Sequence, residues 1–188
     1  MIRYIELLEK IKPSIVIATG PSGTGKTLHA CTVGKKMVYG GKYQKIVLTR
    51  PAVSADEELG FIPGTLEDKM KPWVQPSLEY LGKTPIEICP LAYMRGRTFH
   101  NSWIIADEMQ NSTKNQMLML LTRIGNGSKL VILGDTDQCD KSGMDGLTDL
   151  IWRHEQSEDV ASVALTDIKR NGVIKDILGW YEKKDLFP

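Results

Sequence analysis

The chain has 188 residues, of which 41% are hydrophobic and 25% are charged. That balance is typical of a globular domain and excludes a disordered or fibrous polypeptide. Lys and Arg number 24 against 23 Asp and Glu, so the bulk charge points to neither a nucleic-acid nor a membrane partner, and any basic surface must be local.

The cysteines and the apolar segments indicate in which cellular compartment the protein is expected. Cys31, Cys89 and Cys139 have no metal-binding spacing, which fits a reducing, intracellular environment. No apolar run reaches the roughly 18 residues of a membrane span, and the N-terminus lacks a signal-peptide pattern. We therefore expect a cytoplasmic protein without a membrane partner, folded as a single domain over residues 1–188.

The first predicted elements are a helix and a strand. Residues 1–12 place apolar side chains at near-helical spacing and are closed by Pro13, which predicts a short amphipathic helix. Residues 14–19 are apolar and β-branched, as in a buried parallel strand. A core over residues 14–182 is expected to follow that N-terminal helix.

A glycine-rich loop comes directly after this strand. Residues 20–27 fit the phosphate-binding pattern G-x-x-x-x-G-K-[ST], and residues 28–39 have the helical spacing that the motif requires next. Lys26 is predicted to hold the β- and γ-phosphates of ATP, and the Thr27 hydroxyl to bind Mg²⁺. The predicted nucleotide-binding residues are Gly20, Pro21, Ser22, Gly23, Thr24, Gly25, Lys26, Thr27 and Leu28.

The rest of the chain alternates predicted strands and helices, which indicates a three-layer α/β/α fold with a mostly parallel sheet. Strands are predicted at 45–49, 86–89, 102–107, 128–133 and 160–165. Helices are predicted at 66–81, interrupted near Pro72 and Pro76, at 114–124, with Met117, Leu118, Leu120, Leu121 and Ile124 inward, and at 173–181. Residues 50–65 are expected to form a long functional loop.

Two acidic residues end the strand at 102–107. Asp107 is predicted to bind Mg²⁺, and Glu108 to act as the general base for a water nucleophile. This pair favours hydrolysis over phosphoryl transfer to a substrate. A Gly-Asp-Thr-Asp-Gln segment ends the next strand, and Gln138 is predicted to contact the γ-phosphate and the attacking water together.

The sequence segments around these motifs are similar to those of the PhoH family of P-loop ATPases. The similarity covers about residues 14 to 182 and rests on five segments, which are Thr-Arg-Pro-Ala-Val at 49–53, Leu-Gly-Phe-Ile-Pro-Gly at 59–64, Leu-Ala-Tyr-Met-Arg-Gly-Arg-Thr at 91–98, Asp-Glu-Met-Gln-Asn at 107–111 and Leu-Thr-Arg-Ile-Gly at 121–125. The resemblance implies a RecA-like core close to that of superfamily 1 helicases, Mg²⁺-dependent ATP hydrolysis, a role with RNA, and assembly as a homo-oligomer, a hexameric ring being one form. Family members tend to place a Gln before the first strand, and residues 2–9 contain none, so selectivity for adenine is not predicted.

Arginines are predicted to complete the site. A cation opposite Lys26 is needed at the γ-phosphate, and Arg170 resembles the arginine that the family places after its last strand. The candidates for this cation are Arg50, Arg95, Arg97, Arg123 and Arg170. Arg170 from a neighbouring subunit is the first choice, and Arg123 is the second. Arg50, Arg95 and Arg97 lie in segments suited to contact single-stranded RNA, whereas Trp73 and Tyr80 are expected to pack in the core or at an interface rather than stack bases.

Two other functions remain open at this point. A P-loop small-molecule kinase fits the chain length, but Glu108 and the Gly-Asp-x-x-Gln pattern argue against it. A non-catalytic nucleotide switch would use the same loop to bind ATP and change its affinity for a partner without hydrolysis.

Overall fold

A computed structural model of the chain describes residues 1–51, 66–136, 145–154 and 157–167. The strands found there are β1 (Ile15–Thr19), β2 (Lys45–Thr49), β3 (Ile86–Ile88), β4 (Ser102–Ala106), β5 (Lys129–Gly134) and β6 (Val160–Ala164). The α-helices are α1 (Ile2–Glu9), α2 (Lys26–Tyr39), α3 (Leu66–Leu81), α4 (Lys114–Leu121) and α5 (Gly146–Arg153).

The strands form one sheet in the order β3-β2-β4-β5-β1-β6, and every described pair is parallel. A parallel strand covered on both faces is apolar along its whole length, and β4 and β5 are buried throughout. Since β5 lies between β1 and β4, the loop after β1 and the acidic end of β4 face each other across one strand end. The predicted α/β fold with a mostly parallel sheet is confirmed.

Helices cover both faces of this sheet and produce three layers. Val16 and Ala18 of β1 join a core with α1, α2 and α3, whereas Ile17 points to the other face and joins a core with α4 and α5. Successive side chains of a strand point to opposite faces, so each central strand contributes to both cores. Cys31 is fully buried in the first core.

Three predicted elements differ in their details. Helix α3 continues through Pro72 and Pro76, because both prolines are exposed one turn apart and the helix can bend instead of breaking there. Helix α1 ends at Glu9, before the expected residue 12, since Lys10 already has extended backbone. Helix α4 ends at Leu121 rather than 124.

The inner face predicted for α4 is correct only in part. Met117 and Leu120 are buried, but Leu118 is 63% exposed. The assignment failed at Leu118 because an eight-residue helix buries only the positions that face α5 and the 3₁₀ turn at Leu91–Met94. Apolar side chains are common on protein surfaces, so hydrophobicity alone does not place Leu118 inside.

Helix α5 was absent from the sequence prediction. Its start is fixed by Asp145, whose carboxylate Oδ1 accepts hydrogen bonds from the N–H groups of Leu147 (2.7 Å) and Thr148 (2.9 Å). Short 3₁₀ turns at Leu91–Met94 and Met109–Asn111 were also not predicted.

Several predictions lie outside the described residues. They are most of the loop at 50–65, the helix at 173–181, and the residues Cys139, Gln138 and Arg170. Among the helices that are described, none combines the length and apolarity that crossing a bilayer would need.

Candidate nucleotide-binding site

A cavity of about 620 Å³ opens at the carboxyl edge of the sheet, between the loop after β1 and helix α3. Open α/β sheets bind their ligands at this edge. The strand ends of β2, β4 and β5 also reach the cavity. The sequence-predicted residues that line it are Ser22, Gly23, Gly25, Lys26, Thr27, Leu28, Arg50, Asp107 and Glu108.

Gly20, Pro21 and Thr24 shape the loop without lining the cavity. Gly20 has φ = 136°, and a Cβ atom there would lie 1.9 Å from the carbonyl oxygen of Leu165, so only glycine fits. The Thr24 hydroxyl donates a hydrogen bond to the Pro21 carbonyl (2.9 Å). These contacts hold the backbone bend from which a phosphate could be bound.

Lys26 is buried at the first position of α2. Its Nζ donates to the carbonyl oxygens of Gly20 and of Pro21 (2.9 Å), both in its own loop. The buried Tyr4 hydroxyl of α1 donates to the carbonyl of Lys26 (3.0 Å) and so ties α1 to the start of α2. The ammonium group thus lies in the cavity beside the N-terminus of a helix, a pairing that favours anions.

Thr27 and Asp107 place two oxygen atoms that could ligate a metal close together. The Thr27 hydroxyl donates to Oδ2 of Asp107 at 2.9 Å. Burial raises the pKa of Asp107, the neighbouring Glu108 carboxylate raises it further, and the hydrogen bonds from Thr27 and the Glu108 N–H, together with Arg50, oppose that rise. A divalent cation would relieve the crowded negative charge, and hard oxygen donors are the ligands that Mg²⁺ prefers, so these residues fit the predicted metal.

Glu108 is held in an unusual backbone conformation. Its φ of 55° lies in the left-handed region, which non-glycine residues adopt rarely and often at functional sites. Its N–H donates to Oδ1 of Asp107 at 3.0 Å. Glu108 lines the same cavity as the loop after β1.

Gln110 is a site residue that sequence reasoning did not assign. It is 2% exposed, its Nε2 donates to Oε2 of Glu108 (2.6 Å), and its Oε1 accepts from the N–H of Asp135 (3.2 Å). It thereby links the end of β4 to the end of β5. The only signal in the sequence was its place in the Asp-Glu-Met-Gln-Asn segment.

Helix α3 forms the opposite wall of the cavity. Its lining residues are Trp73, Val74, Pro76, Ser77 and Tyr80. Trp73 is half-buried and packs against the first core, whereas Tyr80 is 43% exposed. Both aromatic rings therefore border the predicted nucleotide cavity, which their helical spacing alone did not reveal.

The arginines predicted to contact RNA have different surroundings. Arg50 lies in the cavity. Arg97 forms an ion pair with Glu87, and its guanidinium carbon lies 4.6 Å from the centroid of the Phe99 ring. Arg95 is exposed and does not line the cavity.

Arg123, the second candidate for a cation at the γ-phosphate, also lies outside the cavity lining. Its guanidinium donates to the backbone carbonyls of Met119 (3.2 Å) and Arg97 (3.1 Å). In this chain it therefore supports the turn after α4, and only contact with another subunit would bring it to a phosphate.

Comparison with known proteins gives consistent relatives. A model of the PhoH-like protein family matches residues 2–182. The chain is similar to the PhoH-like proteins of Mycobacterium leprae (38% identity over 98% of this chain and 58% of that relative) and Bacillus subtilis (38% over 91% and 59%). A solved structure of Pif1 helicase from Candida albicans is 18% identical, with a TM-score of 0.49 over 93% of this chain and 42% of that one. The chain spans slightly under three fifths of the length of these two curated relatives.

Proposed function

The chain belongs to the PhoH-like protein family, and from that premise we propose that it is a Mg²⁺-dependent ATPase coupled to single-stranded RNA. One observation carries the hydrolysis proposal. Glu108 lines the same cavity as the phosphate loop and directly follows Asp107, whose carboxylate is hydrogen-bonded to Thr27. A phosphate site with an adjacent carboxylate base is suited to activate water.

The loop after β1 binds the triphosphate. Its backbone N–H groups and the N-terminus of α2 attract the anion, and Lys26 contacts the β- and γ-phosphates. Thr27 and Asp107 hold Mg²⁺, which when bound neutralises charge on the phosphate oxygens. Leu28 and the α3 wall border the same cavity.

Glu108 removes a proton from the attacking water. The water oxygen forms a bond to the γ-phosphorus, the bond from that phosphorus to the bridging oxygen of ADP breaks, and the proton moves to the Glu108 carboxylate. Gln110 fixes the orientation of this carboxylate through its 2.6 Å hydrogen bond. The role of Gln138 as a γ-phosphate sensor stays a prediction.

RNA and a second subunit complete the proposal. The family resemblance suggests RNA, and the exposed side chains of Tyr93 and Arg95 offer a stacking ring and a phosphate-binding guanidinium on one turn. Arg170 of a neighbouring subunit in a homo-oligomeric ring is proposed to reach the γ-phosphate. We expect single-stranded RNA to raise turnover and its affinity to fall with added salt.

Glu108→Gln tests the hydrolysis proposal. The amide keeps the size of the side chain but cannot accept the water proton. ATP binding should persist while phosphate release falls about 10²–10⁴-fold, the usual share of a general base. Both quantities are measured on the full chain with Mg²⁺ and ATP, without an added acceptor.

Glu158→Gln is the matched control. Glu158 is exposed and forms a surface ion pair with Lys12, so turnover should not change. Wild-type turnover in the Glu108→Gln variant would contradict the assignment. Phosphate transfer that needs an added acceptor would indicate a kinase, and ATP binding without any turnover in the wild type would indicate a switch.

A further inference from the structure

Arg50 occupies a fixed place at the carboxyl end of β2. Strand β2 pairs with β4, and the N–H of Asp107 donates to the carbonyl of Thr49 at 2.9 Å. The backbone of Arg50 is thereby held beside the acidic end of β4. Its side chain lines the cavity together with Lys26 and Glu108.

The guanidinium of Arg50 rests against helix α3. Its Nη1 donates to the carbonyl oxygen of Trp73 at 3.2 Å, and its central carbon lies 5.7 Å from the centroid of the Trp73 ring. Among the described residues, the buried Nε of Arg50 has no hydrogen-bond partner. A buried donor without an acceptor is costly, and a phosphate oxygen in the cavity would supply that acceptor.

No other arginine of the described ranges lines this cavity. Arg97 is already paired with Glu87, and Arg123 donates to backbone carbonyls of its own turn. Arg153 pairs with Asp149 on the outside of α5. Arg50 is thus the cavity guanidinium of the described chain, and the planar fork of an arginine suits phosphate oxygens.

We propose that Arg50 contacts the γ-phosphate of ATP within its own subunit and lets the site distinguish ATP from ADP. The inference rests on the proposed ATP site and goes beyond it by naming a cation in cis, independent of any neighbour. In the structure the carbonyl of Trp73 holds the guanidinium at the wall of the cavity. When ATP binds, the guanidinium turns from the Trp73 carbonyl to the γ-phosphate opposite Lys26.

Arg50→Ala tests the assignment by nucleotide selectivity. The variant should lose at least about tenfold in affinity for ATP with Mg²⁺ and keep the wild-type affinity for ADP, because ADP has no γ-phosphate. Turnover should fall about 10³-fold, the lower range for an arginine at a transferring phosphoryl group. Arg153→Ala, which removes an arginine from α5, should change neither affinity nor turnover.

A merely structural Arg50 would behave differently. If the residue only clamps α3 through the Trp73 carbonyl, Arg50→Ala weakens ATP and ADP equally or lowers only the unfolding temperature, and the inference is overturned. Arg50→Gln serves where the alanine variant fails to fold, since an amide can still donate to the Trp73 carbonyl but brings no charge. Retained ATP selectivity in Arg50→Gln would equally overturn it.

Trp73 supplies a signal that does not depend on turnover. Moving the guanidinium away from the indole should change its fluorescence on addition of ATP with Mg²⁺, and not on addition of ADP. Trp73→Phe should remove that change and leave the fluorescence of the remaining tryptophans. An identical response to ATP and ADP would contradict the movement.

Mixing two inactive variants separates action in cis from action in trans. Arg50→Ala and Glu108→Gln subunits together should stay inactive, because each site lacks one of its own residues. Restored turnover would show that Arg50 serves a neighbouring site and would overturn the proposal. If the wild-type protein does not bind ATP, the proposed ATP site itself is wrong. If the wild type turns over normally and Arg50→Ala keeps the wild-type preference for ATP over ADP, only the role proposed for Arg50 is wrong.

Discussion

Two buried lysines at opposite edges of the sheet show how position decides what a charged group does. Lys26 is 9% exposed at the carboxyl edge, and Lys129 is fully buried in β5 at the amino edge. Each donates to two backbone carbonyls. Lys26 bonds to its own loop, whereas Lys129 donates to Leu7 (2.7 Å) and Lys10 (2.8 Å) at the end of α1.

The surroundings of these partners differ. Lys26 itself lines a cavity of about 620 Å³, so a phosphate that enters the cavity can replace the loop carbonyls as the partner of the ammonium group. The carbonyls around Lys129 form the C-terminus of a helix, which a cation complements, and the Trp103 ring lies 5.9 Å from its Nζ. The same chemistry therefore serves a ligand at one edge and the fold at the other.

Among the tests of this contrast between the two lysines, Lys26→Met has the largest expected effect. The variant loses the cation that contacts the β- and γ-phosphates, so turnover should fall about 10²–10³-fold, as when one preorganised donor is removed from a charged transition state. The unfolding temperature should stay close to that of the wild type. Phosphate release and thermal unfolding, measured on the same preparation, check the two expectations. A large fall in the unfolding temperature would contradict the view that Lys26 serves the ligand rather than the fold.

Lys129→Met is the same substitution at the other edge. It leaves the carbonyls of Leu7 and Lys10 without their donor, so the free energy of unfolding should fall by about 1–3 kcal/mol. Turnover per folded molecule should not change. Urea unfolding measures the loss, Lys12→Met at an exposed position is the control, and an inactive but fully stable Lys129→Met protein would refute the division of roles.

Tyr4→Phe probes the helix that contacts both lysines. Removing the hydroxyl deletes its hydrogen bond to the carbonyl of Lys26, which should cost about 0.5–1.5 kcal/mol of stability. Tyr39→Phe, at a position 62% exposed, is the matched control. Thermal unfolding of both variants checks the difference, and equal unfolding temperatures would mean that the buried hydroxyl contributes nothing.

The pH dependence of stability sharpens the contrast further. Burial lowers the pKa of Lys129 from its ordinary 10.5 to about 8. The folded state therefore releases this proton at a lower pH than the unfolded state. As a result, the free energy of unfolding rises with pH between about 8 and 10.5, and below about 8 this contribution is absent. The stability gap between wild type and Lys129→Met should widen by about 1 kcal/mol from pH 7.5 to 9, and a gap that narrows would contradict the burial of a charged amine.

Local sequence patterns were enough to predict the strands around the loop at residues 20–27 and the helix that follows it. The bounds of β2 were predicted to the residue. Asp107 and Glu108 were expected to serve the same nucleotide as Lys26, and the three residues line one cavity. The glycine spacing, the apolar strand and the following helix are all contiguous in the chain. Nothing distant was needed to recognise them.

Contacts between distant segments were not predictable in this way. The Nζ of Lys129 donates a hydrogen bond to the carbonyl of Leu7, which lies 122 residues earlier in the chain. No sequence pattern in β5 indicates that this strand contacts the end of α1. Arg50 was assigned to RNA and was also one of five candidates for the cation at the γ-phosphate, and only the packing of α3 shows that it lies in the cavity. Helix α3 continues through two prolines. This was not predicted because the sequence alone does not show that both prolines are exposed in the folded protein.

Hydrogen–deuterium exchange with and without ATP and Mg²⁺ tests the central claim most directly. If the triphosphate binds the loop after β1, amides at residues 20–28 should exchange more slowly with nucleotide, while those at the end of α1 near Lys129 should not change. Unaltered exchange in the loop at saturating nucleotide, or protection confined to a distant part of the chain, would contradict it.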